Sequence, residues 1–149
     1  MTTLARDLFH VLSHAEHHAT RALAAALSAN GSSVEQWRVL ALLAAGDGQP
    51  MTAVADHALL PPPTATKLVD RMVAANLVYR RADPADRRRV LVYATERGQA
   101  LHRHLAAAVA RLQDELLHDI ADTGDLTDTL ARLARSLAPG TQDHPEQVR

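Results

Sequence analysis

Three groups of side chains in this 149-residue chain have types and spacings that could do chemistry. The first is cationic. Between Lys67 and Arg89 stand Lys67, Arg71, Arg80, Arg81, Arg87, Arg88 and Arg89, against the acids Asp70, Asp83 and Asp86. The formal net charge is only −1, so the rest of the chain is acidic, with nine cations and fourteen acids. One basic patch on an acidic body attracts a polyanion without general stickiness. Arg87-Arg88-Arg89 at a loop tip is costly unless something negative meets it. Charges also protect exposed sheet edges, but five arginines in the ten positions Arg80–Arg89 exceed what protection needs. Asp86, two residues before Arg88, could pair with it and fix its direction.

The second group is imidazole-rich: His10, His14, His17 and His18. Positions 10, 14 and 17 (or 18) share one face of a helix, and imidazole suits zinc, copper, nickel or iron. His10, His14 and His17 are therefore weak metal candidates. The same histidines also suit a polar helix–helix contact. The third group is the adjacent pair Trp37 and Arg38. Indole would stack on a ring, and arginine or histidine would hold a carboxylate or phenolate. Ordinary core packing for Trp37 and an ion pair for Arg38 stand as the plainer readings. An enzyme is not expected, because there is no carboxylate cluster, glycine-rich phosphate loop or nucleophile paired with a base. Hence no catalytic residue and no cofactor is expected. A metal-binding protein or metalloenzyme built on the histidine-rich segment is the alternative from a different class, and a helical interaction module without DNA binding is another.

The elements that must position these groups are mostly helical. Alanine and leucine dominate and aromatics make up only 3%, a composition that favours helix. Apolar spacing of three and four predicts a helix over about 3–29, through Leu4, Leu8, Val11, Leu12, Ala15, Ala19, Leu23 and Ala26. Asn30-Gly31 ends it. Ser32 and Ser33 are N-cap candidates for a helix over 34–45, followed by a turn at 46–50. Thr52 is the expected cap of a short helix to Ala58, and a second short helix spans about 63–76, with Ala65, Leu68, Val69, Met72 and Val73 inward. Leu77–Arg81 and Arg89–Tyr93 predict a two-stranded hairpin with a charged tip. Thr95 caps a helix over about 96–120. Gly124 separates it from a last helix carrying Leu126, Leu130, Leu133 and Leu137, and 139–149 reads as a flexible tail. The absence of cysteine excludes disulfides and thiol sensing. No signal peptide or membrane span is expected, and the expected location is cytoplasmic.

A short helix pair followed by a cationic hairpin can set one helix in a major groove and the hairpin against the neighbouring minor groove or backbone. Thr64, Thr66 and Lys67 lie near the start of that second helix, where side chains reach base edges, and Arg71 is one turn on. The run Asp83–Gly98 (DPADRRRVLVYATERG) resembles the wing and following helix of the MarR family of bacterial regulators. Thr64–Met72 (TATKLVDRM) resembles that family's recognition helix, and Val34–Leu40 its second helix.

The resemblance covers about residues 4–137. It implies a mainly α fold: a winged helix-turn-helix lobe over 33–95 with a two-stranded β wing, plus dimerisation helices over 3–30 and 96–138, all within a single domain. It also implies a triangular homodimer on a pseudo-palindromic double-stranded DNA operator. Ligands, often aromatic or acidic, release many members from DNA and often occupy a cleft near the first, second and fifth helices, which Trp37 and Arg38 with His14, His17 or His18 would line. Thr64, Thr66 and Lys67 would face the major groove. Arg88 would enter the minor groove with Asp86 as its partner; Arg87 and Arg89 beside it, and Arg71 on the recognition helix, are the further DNA-contact candidates. Three positions depart from the family pattern. Leu59 replaces a turn glycine, Pro61-Pro62-Pro63 replaces a polar helix entry, and Ala94 stands where a leucine usually closes the second wing strand.

Overall fold

The computed structural model describes residues 7–120 and 123–139. The elements run α1 (Leu8–Ser28), α2 (Val34–Leu43), β1 (Gln49–Pro50), α3 (Met51–Ala58), α4 (Pro62–Ala74), β2 (Val78–Ala82), β3 (Val90–Ala94), α5 (Glu96–Leu117) and α6 (Thr123–Leu137). The chain divides into two compact units, Met1–Leu112 and Gln113–Arg149. The expected tail falls almost wholly outside the described residues, as do Leu4 and the first residues of the expected opening helix.

In the first unit, the core gathers one face from each element: Leu27 of α1, Val39, Leu40 and Leu43 of α2, Val54 and Ala58 of α3, Leu68, Val69 and Met72 of α4, Val78 and Val92 of the sheet, and Leu105 of α5. Burying each such Leu, Val or Met side chain is worth roughly 1.5–3 kcal/mol relative to exposure. Val73, expected inward, is 38% exposed. It follows Met72 and falls off the inward face that Ala65, Leu68, Val69 and Met72 share.

The sheet has three strands in the order β1-β3-β2, all antiparallel, where a two-stranded ribbon was expected. The extra strand is Gln49–Pro50, paired with Val92 and Leu91, in a segment that reads as a turn. Gly48 precedes it because a Cβ there would collide with the Tyr93 ring, which itself stacks on Tyr79 (centroids 5.3 Å apart). Each wing strand starts one residue later than the periodicity suggests, and β2 and β3 pair from Val78↔Ala94 to Ala82↔Val90. Ala94 still packs against the core.

Ser33, not Ser32, caps α2, accepting from the Gln36 N–H at 3.2 Å. Thr52 does not cap α3. Pro50 holds the N-cap position without a side-chain bond, and Thr52 lies inside the helix. Gly124 also lies within α6 rather than ahead of it.

The turn between α3 and α4 is closed by Leu59 in the left-handed conformation (φ 58°, ψ 42°). The Leu60 N–H reaches back to the Ala55 carbonyl at 3.0 Å and the Leu59 N–H to Asp56 at 3.1 Å, the double bond of a glycine-type helix stop. The geometry usually supplied by glycine is therefore kept, at a steric cost of roughly 1–2 kcal/mol for a residue with a Cβ. Leu59 is 72% exposed and recovers little of that by packing.

Two stability changes follow. Leu59→Gly should raise unfolding stability by about 1 kcal/mol, since removing the left-handed penalty outweighs added chain entropy. Gly98→Ala should lower it by about 1–3 kcal/mol through overpacking, because the new methyl would strike the Leu77 carbonyl. Urea unfolding of both variants beside the parent checks the two signs.

Candidate nucleic-acid interface

Helix α4 turns Ala65, Leu68, Val69 and Met72 into the core, which leaves Thr64, Thr66, Lys67, Asp70 and Arg71 on its exposed face. The helix begins at Pro62 with Pro61 as N-cap. Of its first three residues, only Thr64 has a backbone N–H to offer, so the helix start presents one free main-chain donor instead of three. The Thr66 hydroxyl donates to the Pro62 carbonyl at 3.0 Å, which leaves its oxygen as an acceptor. Thr64, Lys67 and Arg71 carry the remaining side-chain donors.

Thr64 and Arg71 also line a cleft of about 300 Å³ with Ser33, Glu35, Leu60 and Leu68. The sequence reading does not place Ser33 and Glu35 beside α4. Their only local signal is that of a helix cap and a first-turn acid.

Arg80 on β2 is tied to Asp70 on α4 by a 2.6 Å ion pair, with the two side chains 31% and 58% exposed. A pair this wet contributes roughly 0–1 kcal/mol, less than the burial of either neighbour, Leu77 or Val78. Apolar packing docks the strand, and the ion pair sets the local angle. It also removes Arg80 from the free cations of the patch.

The wing tip is organised by two aspartates acting on backbone. The Asp83 carboxylate accepts from the Ala85 N–H at 2.9 Å, and the Asp86 carboxylate from the Arg88 N–H at 3.1 Å. The Arg89 N–H donates to the Asp86 carbonyl and the Asp83 N–H to the Arg89 carbonyl, both at 2.9 Å. Asp86 thus holds the main chain of Arg88, where a bond to its guanidinium was expected. Arg81, Arg87, Arg88 and Arg89 are exposed, and no ion pair among the described residues engages them. The result is a shaped loop with uncommitted charges.

The remaining candidates are dispersed. Trp37 stacks face to face on His102 of α5, with centroids 5.1 Å apart and planes 5° from parallel. Arg38 donates from Nη1 to the Ala58 carbonyl at the end of α3 (3.4 Å). The α1 imidazoles contact one another: His10–His14 at 4.3 Å, His14–His18 at 5.9 Å and His17–His18 at 5.3 Å between centroids. Among the described residues no three histidine or carboxylate groups are arranged to hold a metal ion. No helix among them is long and apolar enough to cross a membrane. His102 has no counterpart in the sequence expectations, because nothing in its spacing marks it as Trp37's partner.

A helix exposed at its cationic face, followed by an arginine-tipped antiparallel wing, defines a winged helix-turn-helix transcriptional regulator. The chain belongs to the MarR family: the family's model matches residues 30–89, and a MarR family transcriptional regulator, SPO1453 from Silicibacter pomeroyi DSS-3, is 31% identical in sequence. The SPO1453 crystal structure superposes with a TM-score of 0.79 over 93% of this chain and 100% of that one. CouR from Rhodococcus jostii RHA1, crystallised with p-coumaroyl-CoA, is 30% identical with a TM-score of 0.78, covering 100% of both chains. The HTH-type transcriptional regulator MhqR of Bacillus subtilis (strain 168) is 29% identical over 122 residues, 82% of this chain and 84% of MhqR.

Burial, and secondarily the Arg103 charge, pushes the His102 imidazole below its ordinary value of 6.5. Above 6.5 both folded and unfolded forms are neutral. As pH falls below it the unfolded chain takes up the proton first, so native stability declines until the folded imidazole also protonates. His102→Asn should flatten that part of the stability–pH curve. Urea midpoints from neutral to mildly acidic pH, parent against variant, measure the difference.

Proposed function

We propose that this regulator binds a pseudo-palindromic operator as a homodimer and represses transcription until a small aromatic or acidic ligand releases it. The single observation that carries the DNA reading is the wing tip. Aspartate–backbone bonds fix its shape, while Arg87, Arg88 and Arg89 remain exposed without a carboxylate partner. In this reading Arg88 enters a minor groove, where narrow A·T-rich sequence deepens the negative potential. Arg87 and Arg89 meet phosphates. Thr64, Thr66 and Lys67 face the major groove, and Arg71 reaches the backbone beside them. Asp86 serves the site by holding the Arg88 main chain.

A second copy is supported by apolar surface that each unit leaves open. On α1, Leu8, Phe9 and Val11 are 54%, 72% and 48% exposed. In the second unit, Leu116, Ile120, Leu130 and Leu137 are 45–64% exposed, and no described residue of α6 is buried. Faces of this kind mark association surfaces. Two lobes of a symmetric pair would read half-sites one helical turn of DNA apart, about 34–36 Å, or a multiple. The ligand reading draws on CouR, whose structure holds p-coumaroyl-CoA. Here His14, His17, His18, Trp37 and Arg38 are the proposed ligand contacts.

Selection of bound fragments from random duplex DNA should return a two-fold symmetric site with that spacing. Recovery of no preferred sequence at low ionic strength would remove the operator from the account. On the selected site, Arg88→Ala should cost about 1–3 kcal/mol per half-site. If each lobe neutralises about four phosphates, the slope of log K against log salt should be roughly −7. Fluorescence anisotropy reads both, and an unchanged affinity for Arg88→Ala would show the wing assignment to be wrong.

A further inference from the structure

Helix α1 carries a row of imidazoles that takes no part in the DNA contacts, although His14 and His18 also stand among the proposed ligand contacts. His10, His14 and His18 recur at successive turns of one face, all exposed. Their rings meet in sequence, His10 on His14 with centroids 4.3 Å apart and planes tilted by 49°, and His14 on His18 at 5.9 Å and 47°. None of the three has a hydrogen bond or ion pair to another described residue, so their ring nitrogens are available. The neighbouring carboxylates are otherwise occupied: Asp7 caps the helix through the Phe9 N–H at 3.0 Å, and Glu16 accepts from the Thr20 hydroxyl at 2.9 Å.

We propose that α1 binds one exchangeable divalent transition-metal ion through a two-imidazole chelate centred on His14, completed by either His10 or His18. Two nitrogens each about 2.0–2.1 Å from an ion lie roughly 3 Å apart, within reach of rings one helical turn apart after small side-chain rotations. Neutral imidazole is a ligand for Ni²⁺, Cu²⁺ and Zn²⁺ alike, with Cu²⁺ binding most tightly. Because no third protein group converges there, water fills the other coordination positions and the ion exchanges freely. His14 belongs to both pairs, so the two chelates exclude each other and one ion binds per chain. His17 lies off the row, with its ring meeting His18 nearly edge-on at 76°, and is not a ligand.

The test is calorimetric titration of the untagged full-length protein with Ni²⁺, and separately with Cu²⁺, at neutral pH. The parent should take up one ion per chain and release it on acidification, because the ligand nitrogens must be unprotonated. His14→Ala should weaken binding roughly tenfold or more, by reducing a chelate to single imidazoles. His10→Ala/His18→Ala should reproduce that loss, and His17→Ala should leave affinity unchanged. These exposed positions make no core contact, and circular dichroism verifies that each variant keeps its helices. Absence of binding by the parent, a His14→Ala variant that binds like the parent, or a loss on His17→Ala would each overturn the site. The outcome does not depend on whether the protein binds DNA.

Discussion

The structure hinges on the carbonyl of Leu77 and what crowds around it. The Leu77 N–H closes the end of α4 on the Met72 carbonyl at 2.9 Å, and its carbonyl accepts from the Thr95 N–H at 3.0 Å. The Thr95 hydroxyl donates to the Asn76 carbonyl at 2.7 Å and accepts from the Gly98 N–H at 3.0 Å. Gly98 is glycine because its Cα sits directly against that carbonyl. Asn76 takes the left-handed conformation (φ 56°) that lets the chain turn there. A short stretch of backbone therefore joins the end of α4, the first wing strand, the last wing strand and the start of α5. Each bond alone is worth only about 1 kcal/mol. Together they fix the angle between α4 and the wing.

Charge is distributed by the same economy of contacts. Of the acids in the basic segment, Asp83 and Asp86 spend their carboxylates on main-chain N–H groups, and Asp70 neutralises Arg80. The acids that share the patch thus shape it, while Arg81, Arg87, Arg88 and Arg89 have no ion-pair partner among the described residues. A polyanion approaching the wing meets guanidinium groups whose stems rest on an ordered loop, so less freedom is lost on contact than from a floppy basic tail.

Much of this was legible in the residues, and the illegible parts have physical causes. The helices follow from apolar spacing, the cap at Thr95 from its hydroxyl, and the wing from β-branched residues around an Asp-Pro turn. The strand at Gln49–Pro50 escaped because two residues show no alternation, and their pairing is decided by Val92 and Leu91 more than forty residues away in the chain. Thr52 was a plausible cap displaced by a strand that delivers Pro50 into the cap position. The Asp86–Arg88 relation was right about the pair and wrong about the atoms, since spacing cannot distinguish a carboxylate held by backbone from one held by guanidinium. The Trp37–His102 stack joins helices distant in sequence, and no local pattern announces it. The outward placement of Thr64, Lys67 and Arg71 follows from an amphipathic period that separates inward from outward positions. The position of Glu35 beside α4 has no local signal, because it is a property of the assembled lobe.

The entry to α4 has a further mechanical meaning. Three consecutive prolines hold φ near −65° through the first turn, so that turn has little freedom to fray or rewind. The residue before them, Leu60, is likewise confined to extended backbone by the ring that follows. Any displacement of α4 would therefore carry its first turn as a stiff unit, set directly after the left-handed backbone at Leu59. In this chain the strained turn residue and the stiff start of α4 are neighbours.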